Sequence, residues 1–388
     1  MNNFAEFLES YKNKDTDYFD LVELIRINDI DYKNMLNSSN RRLLSYNMSS
    51  KYKVEILNNK PYDMWKNNHE VDISLCSPRI EIYIDCNVNT LDDLISITNQ
   101  YTYDKLVKYN IDLKTLHNIK DDLIALNSMI GMKDLKSNVL NQILYFIQNL
   151  HVYNKESDYK HTVLYGPPGT GKTEVAEIIG KMYSKMGVLK KNVFKKVNRS
   201  DLIAGYLGQT ALKTTEVINS CLGGCLFIDE VYSLGSDESY SKECIDTLNE
   251  CLSRHKNNLM VIIAGYEDEI KHHFFGANKG LESRFIWRFH IEPYNSEELY
   301  KIFCKKVNSI EWSLQNTINV KWFEKNRELF KYYGRDIEMF LSHVKVYHSR
   351  RIFGNPDEQK KIDIRDLNGG LSTFLKHKEK KVMLDLYI

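Results

Sequence analysis

The chain has 388 residues, room for roughly two or three domains that each bury a sizeable core. Its formal net charge of +1 removes the global electrostatic case for a nucleic-acid binder. Seven scattered cysteines without C-x-x-C pairing point to reduced thiols in a cytoplasmic or equivalent compartment, and no window is apolar for long enough to cross a membrane.

Three regions follow one another. Residues 1–122 mix helical patterns over 4–11 and 18–27 with β-rich runs over 52–57 and 79–86, and they hold no catalytic constellation. An N-terminal α+β domain for substrate or partner recognition is expected there. Residues 123–292 alternate apolar runs, at 162–165, 193–197, 225–228 and 259–264, with helical periodicity. That alternation predicts a mostly parallel sheet flanked by helices, with a nucleotide at the carboxyl ends of the strands. Residues 293–388 carry helical periodicity, as over 296–307 and 336–347, and read as a helical lid.

The densest information lies in Gly166-Pro167-Pro168-Gly169-Thr170-Gly171-Lys172-Thr173, which fits G-x-x-x-x-G-K-[ST] directly after an apolar strand. The glycines let backbone N–H groups point at phosphate oxygens, and the helix that follows presents its positive end. Lys172 is expected to neutralise the β and γ phosphates of ATP. Thr173 and Asp229, the latter at the end of the second apolar strand, are expected to hold Mg²⁺, with Glu230 orienting or activating a water. These two motifs alone fit a kinase, a switch or a helicase equally well.

Further segments narrow the choice: Ser128 to Gly131 before the loop, Asp201 to Thr210, Gly223 to Leu234, Ile263 to Tyr266, and Gly280 to Phe285. Together with the phosphate loop they resemble the AAA+ ATPases, in their CbxX/CfxQ branch, over roughly residues 123–350. Members of that branch include red-type Rubisco activases, ring-forming motors that pull on a protein segment, and proteins that sit beside secretion systems. The first third of the chain has no counterpart in the activases. The resemblance implies an AAA+ P-loop core, a C-terminal helical lid, Mg-ATP hydrolysis at subunit interfaces, and a homo-oligomeric ring, a hexamer.

Residue by residue, the resemblance implies that Ile130 and Gly131 line the adenine pocket. Arg284 matches the arginine finger that reaches a neighbour's γ-phosphate; a surface salt bridge is the alternative, with Arg288 as a stand-in. Arg335 matches the second sensor on the lid, although Asp336 offers it a competing partner. At the usual first-sensor position Gly265 and Tyr266 replace a polar Asn or Thr, which leaves Tyr266 or Glu267 for the role. Tyr206 and Leu207, flanked by glycines, match the loop that lines the central pore and grips polypeptide, the alternative being a tyrosine folded onto the core. Residues 235–241 are expected to form a second loop on that face.

Other features have plainer readings. The basic run Lys190, Lys191, Lys195, Lys196 and Arg199 is expected to be a solvated face rather than a nucleic-acid site. His272 and His273 are expected at the surface, and Cys221 and Cys225 in the core rather than on zinc. The leading expectation is an ATP-driven remodeller of a polypeptide. A nucleotide-dependent switch or scaffold comes second, and a nucleic-acid motor third.

Overall fold

The computed structural model describes residues 46–48, 52–56, 80–105, 107–153, 156–206, 208–235, 239–354 and 359–385. The helical patterns at 4–11 and 18–27, and Leu207, lie outside the described residues. The chain divides into two compact units, residues 1–86 with 102–113, and residues 87–101 with 114–388.

The first unit carries a four-stranded sheet in the order β1 (Tyr46–Met48), β2 (Tyr52–Ile56), β3 (Ile80–Ile82) and β4 (Val107–Tyr109). The first two pairings are antiparallel and β3 pairs β4 in parallel. The run expected over 79–86 shortens to β3 because a side chain takes over from the ladder. Asn110 Oδ1 accepts the Ile84 N–H at 2.8 Å and its Nδ2 donates to the Ile84 carbonyl at 3.0 Å. Strands β1 and β4, three residues each, are too short to show a period of two.

The second unit opens with α1 (Leu91–Gln100), α2 (Leu113–Asn127) and α3 (Lys133–Ile147). Thr90 and Asp93 form a reciprocal cap on α1, each side chain accepting the other's backbone N–H. A small hairpin, β5 (Val152–Tyr153) with β6 (Glu156–Ser157), leads into the nucleotide-binding fold. There β7 (Thr162–Tyr165), α4 (Lys172–Lys185), β8 (Phe194–Val197), α5 (Thr210–Ser220), β9 (Cys225–Ile228), α6 (Ser239–Arg254), β10 (Met260–Gly265) and β11 (Trp287–His290) alternate along the chain.

All five of these later strands are parallel, in the order β11-β7-β10-β9-β8. The three central strands are buried along their whole length, which is why they read as unbroken apolar runs. Gly265 stands opposite Tyr165 and Ile263 opposite Ile228, so β7 and β10 end level and β9 ends two residues earlier. From β7 the chain crosses to one edge at β8, and from β10 it returns past β7 to the other edge at β11. The crevice beyond β7 is the topological switch point, where such sheets bind ligands.

A helical bundle closes the unit: α7 (Ser296–Ser309), α8 (Val320–Lys325), α9 (Tyr333–Arg351) and α10 (Ile364–Asp385), with a short parallel pair β12 (Ser313–Leu314) and β13 (Lys361–Ile362). Its core is aromatic. Phe303, Phe323, Phe330, Phe340 and Phe374 are fully buried, and Trp322 stacks on Phe340 at 5.4 Å between ring centroids. Buried Asp366 is satisfied by His348 at 2.9 Å and by Arg351 at 2.7 Å, so the bundle carries its internal charge in a paired form. Cys221 and Cys225 are buried free thiols. No helix among the described residues is long and apolar enough to cross a membrane.

Candidate active site

The loop between β7 and α4 sits at the switch point. Gly169 has φ 76°, the left-handed region that favours glycine, and a Cβ there would also strike the Tyr332 carbonyl. The loop braces itself, since Thr170 Oγ1 and Lys172 Nζ both donate to the Pro167 carbonyl at 2.8 Å. Lys172 Nζ also donates to the Gly166 carbonyl at 2.8 Å. Burial holds the Lys172 ammonium below its usual value; Asp229 and Glu230 oppose that drop, and Arg335 adds to it. Four groups from three different segments therefore feel one another at one point.

The lid touches this loop through backbone. The Gly334 N–H, in the first turn of α9, donates to the Gly169 carbonyl at 2.9 Å. From the neighbouring lid helix side, the Tyr294 hydroxyl donates to the Thr170 carbonyl at 2.9 Å. Neither Tyr294 nor Gly334 carries a signal in the sequence that marks it as a contact to the loop. The groove beside them, about 400 Å³ in volume, is lined among others by Gly166, Pro167, Tyr266, Ile291 and Tyr333.

Asp229 follows β9, and its N–H continues the strand pairing to the Val197 carbonyl at 3.3 Å. Thr173 Oγ1 donates to Asp229 Oδ2 at 3.4 Å. Glu230 adopts φ 49°, a left-handed conformation that costs of order 1–3 kcal/mol in a non-glycine residue and that clusters at functional sites. Lys196 is exposed, as the reading of a solvated basic face expects, yet its ammonium also reaches into the site. Its ammonium lies 2.9 Å from Asp229 Oδ2 and 3.4 Å from Thr173 Oγ1. Lys195, one residue earlier, reaches Ser220 Oγ at 3.0 Å. The period of two along β8 separates the two lysines, and charge counting along the sequence does not. The Thr173–Asp229 pair thus already faces a cation, and its hard oxygen donors suit Mg²⁺.

Ile130 and Gly131 lie in the turn between α2 and α3. Gly131 has φ 69°, and a Cβ there would lie 2.5 Å from Glu298 Oε1. Glu298 in turn accepts the Asn295 N–H at 2.8 Å, capping α7. The flanking Met129 and Met132 methyl groups come within 3.3 and 3.4 Å of a Cβ built on Gly171. The turn therefore packs on both the phosphate loop and the first lid helix. Lys136 Nζ donates to the Asn127 and Met129 carbonyls at 2.8 and 2.6 Å, and this holds the turn in shape.

At the first-sensor position the absence of a polar residue has a steric reason. A Cβ on Gly265 would meet the Tyr232 ring at 2.8 Å. Glu267 pairs with Lys271 at 2.7 Å and His290 at 3.1 Å. Tyr266 is the better placed of the two residues, with its ring 6.0 Å from Lys172 Nζ. Burial raises its hydroxyl pKa, with smaller contributions from Tyr332 and Glu230.

The arginines separate cleanly. Arg284 Nε donates to Ser253 Oγ at 2.8 Å and its Nη1 to the Gly280 carbonyl, so its partners are neutral. Arg288 pairs with Glu282 at 3.2 Å. Asp336, the expected competitor for Arg335, pairs with Lys378 at 2.7 Å and accepts the Tyr332 N–H at 2.9 Å. Arg335 itself is exposed. Tyr206 is 73% exposed, and built Cβ atoms on Gly205 and Gly208 meet nothing within 4 Å. His272 and His273 are exposed.

The family of ATPases associated with various cellular activities, AAA, matches residues 162–279. A cfxQ-like protein of Acanthamoeba polyphaga mimivirus is 40% identical over 300 residues, covering 74% of this chain and 73% of that one. The chain belongs to the CfxQ-like AAA ATPases. Stage V sporulation protein K of Bacillus subtilis is 36% identical over 197 residues, 49% of this chain and 60% of its own length. An ESX-3 secretion system protein, EccA3, of Mycobacterium tuberculosis H37Rv is 38% identical over 174 residues, 44% of this chain and 27% of its own length. This AAA ATPase spans less than two thirds of either of those last two relatives. It binds and hydrolyses ATP, on the P-loop fold described above.

Proposed function

We propose that this AAA ATPase is a protein-remodelling motor, assembled as a hexameric ring, that hydrolyses Mg-ATP at subunit interfaces and pulls a polypeptide through its pore. In this reading Ile130 and Gly131 hold the adenine, and residues 166–173 cradle the phosphates with Lys172 as their counter-charge. Thr173 and Asp229 would hold Mg²⁺, which would supply charge neutralisation at the phosphates. Glu230 orients the attacking water and Tyr266 assists it. Arg335 contacts the γ-phosphate from the lid, so that hydrolysis alters the lid angle. Arg284 serves the site of the adjacent subunit, and its lack of a carboxylate partner among the described residues supports that assignment. Residues 1–122 choose the substrate.

The observation that carries the mechanical half of this reading is Tyr206, a large aromatic that is 73% exposed on a glycine-flanked loop. Such a side chain, with Leu207 beside it, grips diverse polypeptide by apolar contact without reading sequence. The test pairs two variants. Glu230→Gln is expected to retain ATP, lose turnover by about 10²–10⁴-fold, and retain a bound polypeptide. Tyr206→Ala is expected to keep basal turnover and lose its stimulation by that polypeptide. If Glu230→Gln supports full function, the protein is a nucleotide switch or scaffold and the motor reading fails.

A further inference from the structure

Lys196 lies outside every expected nucleotide-binding motif, yet three elements converge to place it. It stands on the edge strand β8, opposite Phe227 of β9, and its ammonium lies 5.7 Å from the centre of that buried ring. The stem is thereby aimed along the sheet towards the carboxyl end of β9. The bond from the Asp229 N–H to the Val197 carbonyl fixes the carboxylate relative to β8. Thr173, at the start of α4, supplies the third partner.

We propose that Lys196 is a tethered counter-ion that competes with the divalent cation for the Thr173–Asp229 pair and sets the metal concentration at which the site loads. The proposal rests on the Mg-ATP reading of that pair. An Mg²⁺ ion coordinated by Thr173 Oγ1 and Asp229 Oδ2 would sit about 2.1 Å from each, and the ammonium stands 3.4 and 2.9 Å from those same atoms. Two cations at that separation repel strongly in a half-buried site, so the ammonium must leave as the metal enters. Its four-carbon stem allows that swing, whereas a backbone donor could not move. With metal scarce, the lysine keeps Asp229 from standing as an uncompensated charge beside the phosphate loop.

The test uses Mn²⁺ as a paramagnetic probe, titrated into the full chain with saturating ADP and followed by electron paramagnetic resonance. Lys196→Met removes the charge while keeping a long apolar stem. It is expected to lower the half-saturating Mn²⁺ concentration about threefold to fivefold, the size of a partly exposed ion pair. Lys196→Gln is expected to do the same, and it keeps the test alive should Lys196→Met fold poorly by circular dichroism. Lys195→Met, which removes the same charge from the opposite side of β8, is expected to leave the midpoint in place. A midpoint unchanged in both Lys196 variants, or shifted equally by Lys195→Met, overturns the proposal. If the wild-type chain shows no ADP-dependent Mn²⁺ binding, the metal assignment to Thr173 and Asp229 falls first, and this inference falls with it.

Discussion

Replacing Gly334 by alanine tests whether the lid is seated on the phosphate loop through backbone. Helix propensity alone favours the change by at most about 1 kcal/mol, the helix-interior value, since Gly334 lies in the first turn of α9. The structure predicts the opposite sign. A Cβ on Gly334 would lie 2.8 Å from the Gly169 carbonyl oxygen, which belongs to backbone and has little freedom to yield. The first turn of α9 must then lift away, and the 2.9 Å bond from the Gly334 N–H to that carbonyl is lost. Overpacking of this kind costs about 1–3 kcal/mol and the bond about 1 kcal/mol. After subtracting the propensity gain, Gly334→Ala should destabilise by about 2 kcal/mol. Arg335, the next residue, moves with the helix, so affinity for a fluorescent ATP analogue should fall as well. Urea denaturation and equilibrium nucleotide titration read the two effects. A variant that is more stable than wild type and binds nucleotide normally refutes the backbone latch.

Other predictions address single residues. Arg284→Ala should reduce turnover of the assembled protein by about 10³-fold or more, whereas Arg288→Ala, which breaks only a half-exposed pair with Glu282, should change it little; equal losses would argue against a finger at Arg284. Tyr266→Phe should slow turnover while leaving ATP affinity intact, and a change in affinity alone would remove Tyr266 from the water-orienting role. Buried His161 accepts the Val261 N–H at 3.0 Å through Nδ1, and burial, aided by Lys160, pushes its pKa from 6.5 down to about 3. The folded value lies below the unfolded one, so this contribution to stability is whole above about pH 6.5 and is lost as the pH falls towards 3. The stability difference between wild type and His161→Asn should therefore move by roughly 1.4 kcal/mol per pH unit below 6.5, and pH-stability curves that run parallel would show that His161 does not titrate with unfolding.

Much of the fold was legible because its signals are local. β7, β9 and β10 are buried on both faces and must be apolar throughout, so their positions could be read within a residue or so. The phosphate loop announces itself because its tight backbone demands glycines at set places. Asp229 and Glu230 stand out because they end a buried strand. β1 and β4 were not legible, since three residues hold too little pattern, and neither was the early end of β3, which depends on the side chain of Asn110 twenty-six residues after Ile84.

The sequence by itself therefore determined the class of fold and the ATPase chemistry, and it named candidates for the site. Only the tertiary structure decided how those groups are partnered. It gave Asp336 to Lys378 rather than to Arg335, Glu282 to Arg288 rather than to Arg284, and it set the exposed Lys196 beside Asp229. The reason is that partnership depends on distances across the sheet and between core and lid. Thr173 and Asp229, or Gly169 and Gly334, become neighbours only when segments far apart in the chain have packed.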